Sequence, residues 1–363
     1  MLMSASTIKA QDDQRGFASI LIAMVLVLVL SLITVGFAQL MQREQREALD
    51  KQLSSQAYYA AESGVNDASK ALNAGFANAK TNCEPLTGAA ASLTGAQYIS
   101  ETPADTSNIA TATGSSYTCL LIDPAPLYLE YGSIDTSQSK AITVSGVNPS
   151  DTTQPAIISR IDISWQAKDS AQSNFVTGAA ATTHRFKKAT DWNFAPVLRA
   201  GLTPLSSTNI NRDYFTKNTL AAFLYPNEAS AGTTGSLSYP SYIDENSGAI
   251  ADGQCNSANT PKSCTVKITD LGQANYLLDL RSIYSASQVR ITAYDSSGNR
   301  LRIKNAQTVV DSTGKAQDVL RRIQVRIPSR NQYPHPDYSL QTTGNICKQL
   351  MVTPQDTSSV CRP

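Results

Sequence analysis

The longest hydrophobic segment of the chain lies near its N-terminus. From Phe17 to Leu40 the sequence reads FASILIAMVLVLVLSLITVGFAQL, 24 residues without a charged residue or a proline. At about 1.5 Å of rise per residue, a helix of this length extends about 36 Å, and the hydrocarbon core of a membrane is about 30 Å thick. The core helix of a soluble protein rarely lacks charged residues over such a length. The pattern therefore predicts a transmembrane helix over residues 17–40.

The helical pattern continues beyond the apolar segment. Residues 41–74 contain no proline, and their only glycine is Gly64. Small or apolar residues recur at spacings of three and four, so they share one face of the helix. These residues are Leu49, Leu53, Ala57, Ala60, Gly64, Ala68 and Ala71. Because most are small, they favour close packing against a sheet over a coiled coil, whose seam needs larger side chains. We expect residues 41–78 to continue the helix outside the membrane and to pack on a globular domain.

Beyond this helix the pattern changes to short β-branched runs separated by Ser, Thr, Asn and Gly, which is typical of strands and turns. The runs AITVSG, IISRIDISWQ and FVTGAA predict strands in a first β-rich part, residues 79–190. DWNFAPVLRAGL, which contains Trp192 and Pro196, marks the join to a second β-rich part, residues 191–363. The alternative to this division is that both parts share one sheet.

Alternation of apolar and polar residues is clearest after Cys264. CTVKIT, YLLDLRSIY, VRITAY, RLRIKNAQTVV and QDVLRRIQVRIP predict strands, and the glycine-containing sequences DSSGN and DSTGK predict the turns between the later ones. The sequence therefore predicts an antiparallel meander over residues 264–328, followed by an irregular C-terminal tail.

All six cysteines follow the transmembrane segment. They are Cys83, Cys119, Cys255, Cys264, Cys347 and Cys361. Six cysteines allow 15 connectivities, and the clustering favours three pairs: Cys83–Cys119, Cys255–Cys264 and Cys347–Cys361. Structural zinc needs two closely spaced cysteine pairs, which the chain lacks, and reduced core cysteines are the other alternative. Disulfides form in an oxidising compartment, so they predict that the chain after Leu40 lies outside the cytoplasm.

These elements together predict an α+β fold. Its parts are a long N-terminal transmembrane and amphipathic helix and a mostly antiparallel β head. The helix packs on this head, and disulfides staple it. The charged residues that flank the apolar segment are few and of both signs, so they do not set its orientation. The cysteines do, and they place the N-terminus in the cytoplasm.

The N-terminal region resembles that of PilX-type minor pilins of type IV pili. The resemblance rests on Gly16–Phe17 directly before the apolar segment, on the length of that segment, and on QAYYAAESGVNDA from Gln56 to Ala68. It covers about residues 14–72. It implies that a prepilin peptidase removes residues 1–16 by cleavage between Gly16 and Phe17, and that the helix then assembles with other pilins. The residues it assigns to the assembly helix are Leu21, Leu49, Leu53, Tyr58, Tyr59, Glu62 and Gly64.

Leu21 is a departure from the major pilins. Most of them carry a glutamate five residues into the mature chain, which neutralises the N-terminal amine of a neighbouring subunit during assembly. The absence of this glutamate resembles the large atypical pseudopilin at the tip of type II secretion systems. It favours a minor or terminal subunit over a repeating one.

The remaining composition excludes several function classes. The net charge is +1, so no overall field attracts nucleic acid or acidic lipid. His184 and His335 are the only histidines, and no Gly-x-Ser-x-Gly, Walker, dinucleotide-binding or His-Glu-x-x-His motif occurs. We therefore expect no enzymatic activity, no cofactor and no metal. Glu62 is expected to contact or cap the head and not to act as a catalytic acid.

Basic residues alternate with apolar residues in two of the predicted strands. They are Arg300, Arg302 and Lys304 in RLRIK, and Arg322 and Arg326 in RRIQVRI. Alternation places them on outward faces. A solvated sheet face is the favoured interpretation over a site for DNA or another acidic ligand, and the lack of interleaved aromatic residues also opposes nucleic acid as a partner.

The sequence thus predicts a structural subunit. We expect a minor pilin that reaches a surface filament through its N-terminal helix and presents its head for assembly priming, capping or adhesion. The alternative is a single-pass membrane-anchored binding protein that is never processed.

Overall fold

A computed structural model describes residues 13–75, 79–83, 115–137, 139–169, 174–178, 186–205, 212–228, 235–239, 249–256 and 262–329. The chain forms two compact units. Unit 1 comprises Met1–Gly75, Asn82–Leu121 and Asp311–Gln324, and unit 2 comprises Phe76–Thr81, Ile122–Val310 and Val325–Pro363.

The dominant element of unit 1 is a single helix of 61 residues, α1, from Asp13 to Asn73. It confirms the predicted long helix, although it begins inside the predicted leader. The helix ends where Gly75 adopts a φ of +97° and donates its backbone N–H to the carbonyl of Leu72 at 3.1 Å. Only glycine takes this left-handed conformation without a steric penalty, so Gly75 stops the helix.

Fifteen strands, one short α-helix and one short 3-10 helix, Ala189–Asp191, follow α1 in the described residues. The strands are β1 Ser115–Asp123, β2 Leu129–Ile134, β3 Lys140–Val147, β4 Arg160–Ala167, β5 Val197–Pro204, β6 Leu220–Tyr225, β7 Ser236–Ser238, β8 Ala249–Asp252, β9 Gln254–Asn256, β10 Ser263–Thr269, β11 Asn275–Ile283, β12 Ser287–Tyr294, β13 Arg302–Lys304, β14 Gln307–Ala316 and β15 Val319–Pro328. The short helix, α2, spans Arg212–Asn218 between β5 and β6.

A three-stranded sheet accompanies α1. Its strand order is β1-β14-β15. Residues 115–121, 311–316 and 319–324 of these strands belong to unit 1. A two-residue connection, Gln317–Asp318, joins β14 to β15, and Gln317 takes a φ of +53° there.

Unit 2 is built on two six-stranded sheets. The first has the order β2-β12-β4-β10-β7, with β9 beside β10, and the second has the order β13-β3-β11-β5-β6-β8. Neighbouring strands are antiparallel except for two parallel pairs, β7 with β10 and β6 with β8. The mostly antiparallel body of the predicted fold class is therefore confirmed.

One hydrophobic core lies between these two sheets. Alternate residues of β4, such as Ile161, Ile163 and Trp165, are buried together with Leu278 and Leu280 of β11. Full burial of one such large apolar side chain stabilises the fold by about 1.5–3 kcal/mol. The indole N–H of Trp165 donates to the carbonyl of Pro196 at 2.8 Å, so its one polar atom is satisfied.

The predicted meander over residues 264–328 is wrong in its pairing. Strands are present throughout, but β10 and β12 lie in the first six-stranded sheet, whereas β11 and β13 lie in the second. DSSGN forms a turn, with Gly298 at a φ of +82°. DSTGK is not a turn, because it lies inside β14. Alternation specifies that a segment is a strand, but the partner of that strand depends on contacts distant in sequence.

The predicted division between residues 190 and 191 is also not a boundary between the compact units, because residues 122–310 all belong to unit 2. β3 and β4 come from the first predicted part, yet β3 pairs with β11, and β4 pairs with β10 and β12 from the second. The two parts thus share both large sheets. Neither part could bury its apolar strand faces alone.

Candidate functional site: helix α1 and its sheet in unit 1

The first half of α1 is an exposed apolar surface. Every side chain from Ser19 to Gln52 is exposed, including Leu21 at 52%. Among the described residues, α1 is the one helix that is long and apolar enough to cross a membrane, and none of its most apolar stretch is buried. An exposed apolar surface of this size is unstable in water and needs lipid or other apolar helices as its surroundings.

The second half of α1 packs through small residues, as predicted. The buried members of the predicted face are Ala57, Ala60, Gly64, Ala68 and Ala71. At the other end of this face the prediction is wrong, since Leu49 is exposed and Leu53 is only half-buried. The reason is that the described contacts with the sheet begin further along the helix. The first of them is the hydrogen bond from Nε of Arg321 in β15 to Oγ of Ser54, at 2.8 Å.

Two glycines allow the helix and β14 to approach closely. A Cβ atom on Gly64 would overlap Oγ of Ser312 and would lie 3.1 Å from Cγ of Tyr117. A Cβ atom on Gly314 would overlap the backbone of Ala57 and Ala61. The helix and the strand therefore approach closely at both positions, and a side chain at either glycine would force them apart.

A buried carboxylate lies in this contact. Asp67 is only 3% exposed. Its Oδ1 lies 3.5 Å from Nζ of Lys70, and its carboxylate also accepts a hydrogen bond from Tyr117. Burial raises the pKa of Asp67, and Lys70 and Tyr117 offset this only in part. Within the described residues, Oδ2 of Asp67 and Oγ of Ser312 have no hydrogen-bond partner.

Sequence reasoning missed Asp67 and chose Glu62 instead. Glu62 is exposed, so the contact with the head that was predicted for it is not formed with the described residues. Asp67 lies three residues after Gly64 and one before Ala68. It therefore falls on the small-residue face, and that spacing is the signal that could have identified it.

Two tyrosines are exposed on the helix. Tyr58 is 51% exposed and Tyr59 is 66% exposed, and their rings meet edge to face with centroids 5.9 Å apart. They give the second half of α1 an apolar surface beyond its buried face.

The predicted processing site lies within α1. Gly16 and Phe17 are part of its backbone, and their side chains are outside the described residues. Cleavage between them stays a prediction.

Two of the three favoured disulfides are confirmed. Cys83 bonds to Cys119 in unit 1, and Cys255 bonds to Cys264 in unit 2. Cys255 and Cys264 are direct register partners on β9 and β10. Cys347 and Cys361 lie outside the described residues.

Most of the basic residues predicted as a weak ligand face already pair with carboxylate side chains of the protein. In unit 1, Nε of Arg322 donates to Asp311 at 2.7 Å. In unit 2, Nη1 of Arg302 donates to Asp123 at 2.9 Å, and Nε of Arg326 lies 3.4 Å from Oε2 of Glu130. Of the other two, Arg300 is exposed and Lys304 is half-buried. An acidic ligand would have to displace these pairs.

No group of three His, Cys, Asp or Glu side chains in the described part of the chain is placed to hold a metal ion.

Comparison with known proteins identifies the N-terminal region. Residues 15–66 match the family model described as PilX N-terminal. No curated protein and no solved structure matches the chain. The matched range lies wholly within α1 and covers both its exposed apolar half and the beginning of its packed half. This region is therefore of the PilX pilin type and indicates a minor pilin, which assembles with other pilins.

Proposed function

We propose that this protein is a minor subunit of a type IV pilus-like filament, a structural and non-catalytic protein. Its α1 holds it first in the membrane and then among the helices of other pilins, and its β-rich head is presented outside the cell. The observation that carries this proposal is the two-part helix. Its apolar segment is exposed, its second half packs on a sheet, and the region that matches the PilX family model, residues 15–66, covers that segment and the beginning of the packed half.

The exposed half of α1 supports assembly for an energetic reason. Apolar surface transferred out of water contributes about 25 cal/mol per Å², and every side chain of the apolar segment from Ser19 to Leu40 is exposed. A membrane or a bundle of similar helices supplies that environment. The same surface can therefore serve both states, and moving between them costs little in hydrophobic energy.

The identity of Leu21 supports a minor position. In a filament core, the N-terminal amine of each subunit enters an apolar helix bundle. An unpaired charge there costs several kcal/mol unless a carboxylate meets it. With Leu21, this subunit offers no carboxylate to a neighbour, although its own amine can still meet a neighbour's glutamate. Such one-sided compatibility suits a subunit that primes or caps a filament, or one inserted sparsely for adhesion.

N-terminal sequencing of the native protein tests this proposal against the unprocessed alternative. We expect Phe17 as the first residue, because a prepilin peptidase would remove residues 1–16. A variant with Gly16→Leu should keep the leader of residues 1–16. From the mean residue mass of the chain, 38.9 kDa over 363 residues, that variant should be about 1.7 kDa heavier than the mature protein. Met1 as the native N-terminus, or the same mature mass in both proteins, would favour the unprocessed membrane-anchored binding protein.

A further inference from the structure

A groove crosses the outer face of the first six-stranded sheet in unit 2. It encloses about 550 Å³, which is within the range of about 300–1,000 Å³ that is usual for small-ligand sites. It lies over β2, β12 and β4, on the side of the sheet away from the core between the two sheets. Its polar lining consists of Glu130, Ser164, Gln166, Ser263, Gln288 and Arg290.

A backbone irregularity shapes the groove. Val289 pairs with Tyr131, but Ser287 pairs with Ile134, so β2 has one residue more than β12 between these two pairs. This β-bulge places Gly132 and Ser133 opposite Gln288. Bulges often redirect side chains at binding sites. Gly132 is exposed, and a Cβ atom built on it would meet nothing within 4 Å. The groove is open at this point because Gly132 has no side chain.

The floor of the groove offers hydrogen bonds of both kinds. Gln166 and Gln288 are direct register partners, and Nε2 of Gln166 donates to Oε1 of Gln288. This bond uses one donor and one acceptor, so each amide group keeps further hydrogen-bonding capacity. Ser164 shares a hydrogen bond of 2.9 Å with Thr265. The floor is thus a row of amides and hydroxyls already held in place by their neighbours.

The charges of the lining balance. Nη2 of Arg290 donates to Oε1 of Glu130 at 2.9 Å, and these two are the only charged residues among those that line the groove. Glu130 also lies 3.4 Å from Nε of Arg326, which is outside the lining. A ligand with a carboxylate or a phosphate would have to compete with Glu130 for Arg290. The groove therefore favours an uncharged ligand.

The groove has no anchor for an apolar group. Its three large apolar lining residues, Tyr131, Trp165 and Val289, are each at most 3% exposed, because their side chains are buried in the core. Peptides and protein partners usually gain affinity by inserting aromatic or aliphatic side chains into apolar pockets. A polyhydroxylated ligand needs no such pocket, and its hydroxyl groups donate and accept as the two amides do.

From these observations we propose that this groove binds an uncharged oligosaccharide. The proposal deepens the adhesion role and rests on the proposed function only for the display of the head outside the cell. Binding itself is a property of unit 2 and does not require assembly.

The test uses the full-length purified protein in lipid nanodiscs, with empty nanodiscs as the blank, and measures binding by saturation-transfer NMR. The probes are maltohexaose, cellohexaose and chitohexaose, together with hexagalacturonate as an acidic probe. Gly132→Trp should fill the groove, and Gly272→Trp is its matched control. Both glycines are exposed in unit 2, have nothing within 4 Å of a built Cβ atom, and have φ angles outside the left-handed region.

We expect at least one neutral hexasaccharide to bind the wild type, with affinity at least tenfold lower in Gly132→Trp and unchanged in Gly272→Trp. Gln288→Leu, which removes one amide and introduces no bulk, should lower the affinity by about fivefold, and it keeps the test valid if Gly132→Trp does not fold. Failure of all neutral probes to bind the wild type would overturn the proposal. Binding of hexagalacturonate alone, or unaltered binding by folded Gly132→Trp or by Gln288→Leu, would do the same. None of these results depends on whether the chain enters a filament.

Discussion

Two glycines, Gly64 and Gly314, determine how closely α1 and β14 pack in unit 1. Replacing them should not destabilise unit 1 equally. A Cβ atom at Gly314 would meet backbone atoms of Ala57 and Ala61, which cannot move without bending the helix. A Cβ atom at Gly64 would first meet the hydroxyl of Ser312, and that hydroxyl can rotate. The difference between backbone and side-chain obstruction sets the order of the effects.

We predict that Gly314→Ala destabilises unit 1 by about 2–3 kcal/mol and Gly64→Ala by about 1 kcal/mol, within the range measured for overpacking. Hydrogen exchange of the backbone amides of residues 57–73 measures both. Gly36→Ala is the control, since a Cβ atom there would meet nothing within 4 Å. Adding Ser312→Ala should restore the stability that Gly64→Ala loses, but not the stability that Gly314→Ala loses. Equal effects of the substitutions at Gly314 and Gly36 would contradict the close approach.

Because of Asp67, the stability of the packing between α1 and its sheet in unit 1 depends on pH. Its pKa in the folded protein is raised above the ordinary value of 3.8. The folded state thus binds this proton more tightly than the unfolded state does. The contribution of Asp67 to stability is therefore greatest below pH 3.8 and is lost as the pH rises through the raised pKa.

We predict that Asp67→Asn slows amide exchange of residues 57–73 at pH 7, because the neutral amide replaces a carboxylate whose charged form is disfavoured by burial. It should also flatten the dependence on pH, once intrinsic exchange rates are taken into account. Lys70→Met, which removes the cation beside Asp67, should have the opposite effect at pH 7. Faster exchange in Asp67→Asn than in the wild type would show that the ionised carboxylate stabilises the contact.

At the scale of elements, the sequence predicts α1 well because its signals are local. The absence of proline and the spacing of small residues both act within a few residues. The helix ends at Asn73, before the predicted limit at residue 78, because Gly75 adopts a positive φ. Its start at Asp13 lies before the predicted start at Phe17, because the leader contains no proline that would stop the helix. The strands with regular alternation, such as β4, β11 and β12, could be predicted for the same reason.

Strand partners and close contacts were not predictable in this way. β10 and β11 are consecutive in sequence and yet belong to different sheets, because each buries its apolar face against strands far away in the chain. The sequence DSTGK predicts a turn at Gly314, whereas Gly314 lies inside β14 and allows α1 to approach this strand. The groove depends on a bulge at Gly132, and a bulge is defined only by the pairing of two strands.

The disulfides provide a further test at this scale. Cys83–Cys119 and Cys255–Cys264 leave Cys347 and Cys361 as the only partners for each other within one chain. We predict that peptide mapping without reduction finds all three bonds. Closing a loop of about 15 residues contributes roughly 3 kcal/mol in the chain-entropy model, so Cys347→Ser should make the C-terminal tail more sensitive to proteases. Cys255→Ser, which opens a different loop, controls for a general loss of stability. Free thiols at Cys347 and Cys361 in the native protein would refute the pairing.

In the whole molecule, the two halves of α1 require different surroundings. Its exposed half requires lipid or other helices, and its packed half carries a sheet whose strands are held by glycine and alanine contacts. The β-rich body contains a groove whose floor carries amides and hydroxyls and whose one charged pair, Arg290 with Glu130, is neutral. This division of tasks fits the proposal of a subunit that assembles through α1 of unit 1 and binds a ligand in the groove of unit 2.

We propose that the chain is a minor subunit of a filament formed mainly by other pilins. Because Leu21 offers no carboxylate to a neighbour's amine, we predict that the protein forms no filaments alone and is found in small amounts beside a smaller, glutamate-bearing pilin. Quantitative mass spectrometry of filaments sheared from cells measures this ratio directly. A trace of this protein, beginning at Phe17, in filaments dominated by that pilin is the predicted result. Filaments in which this protein is the dominant component, without such a partner, would contradict the account.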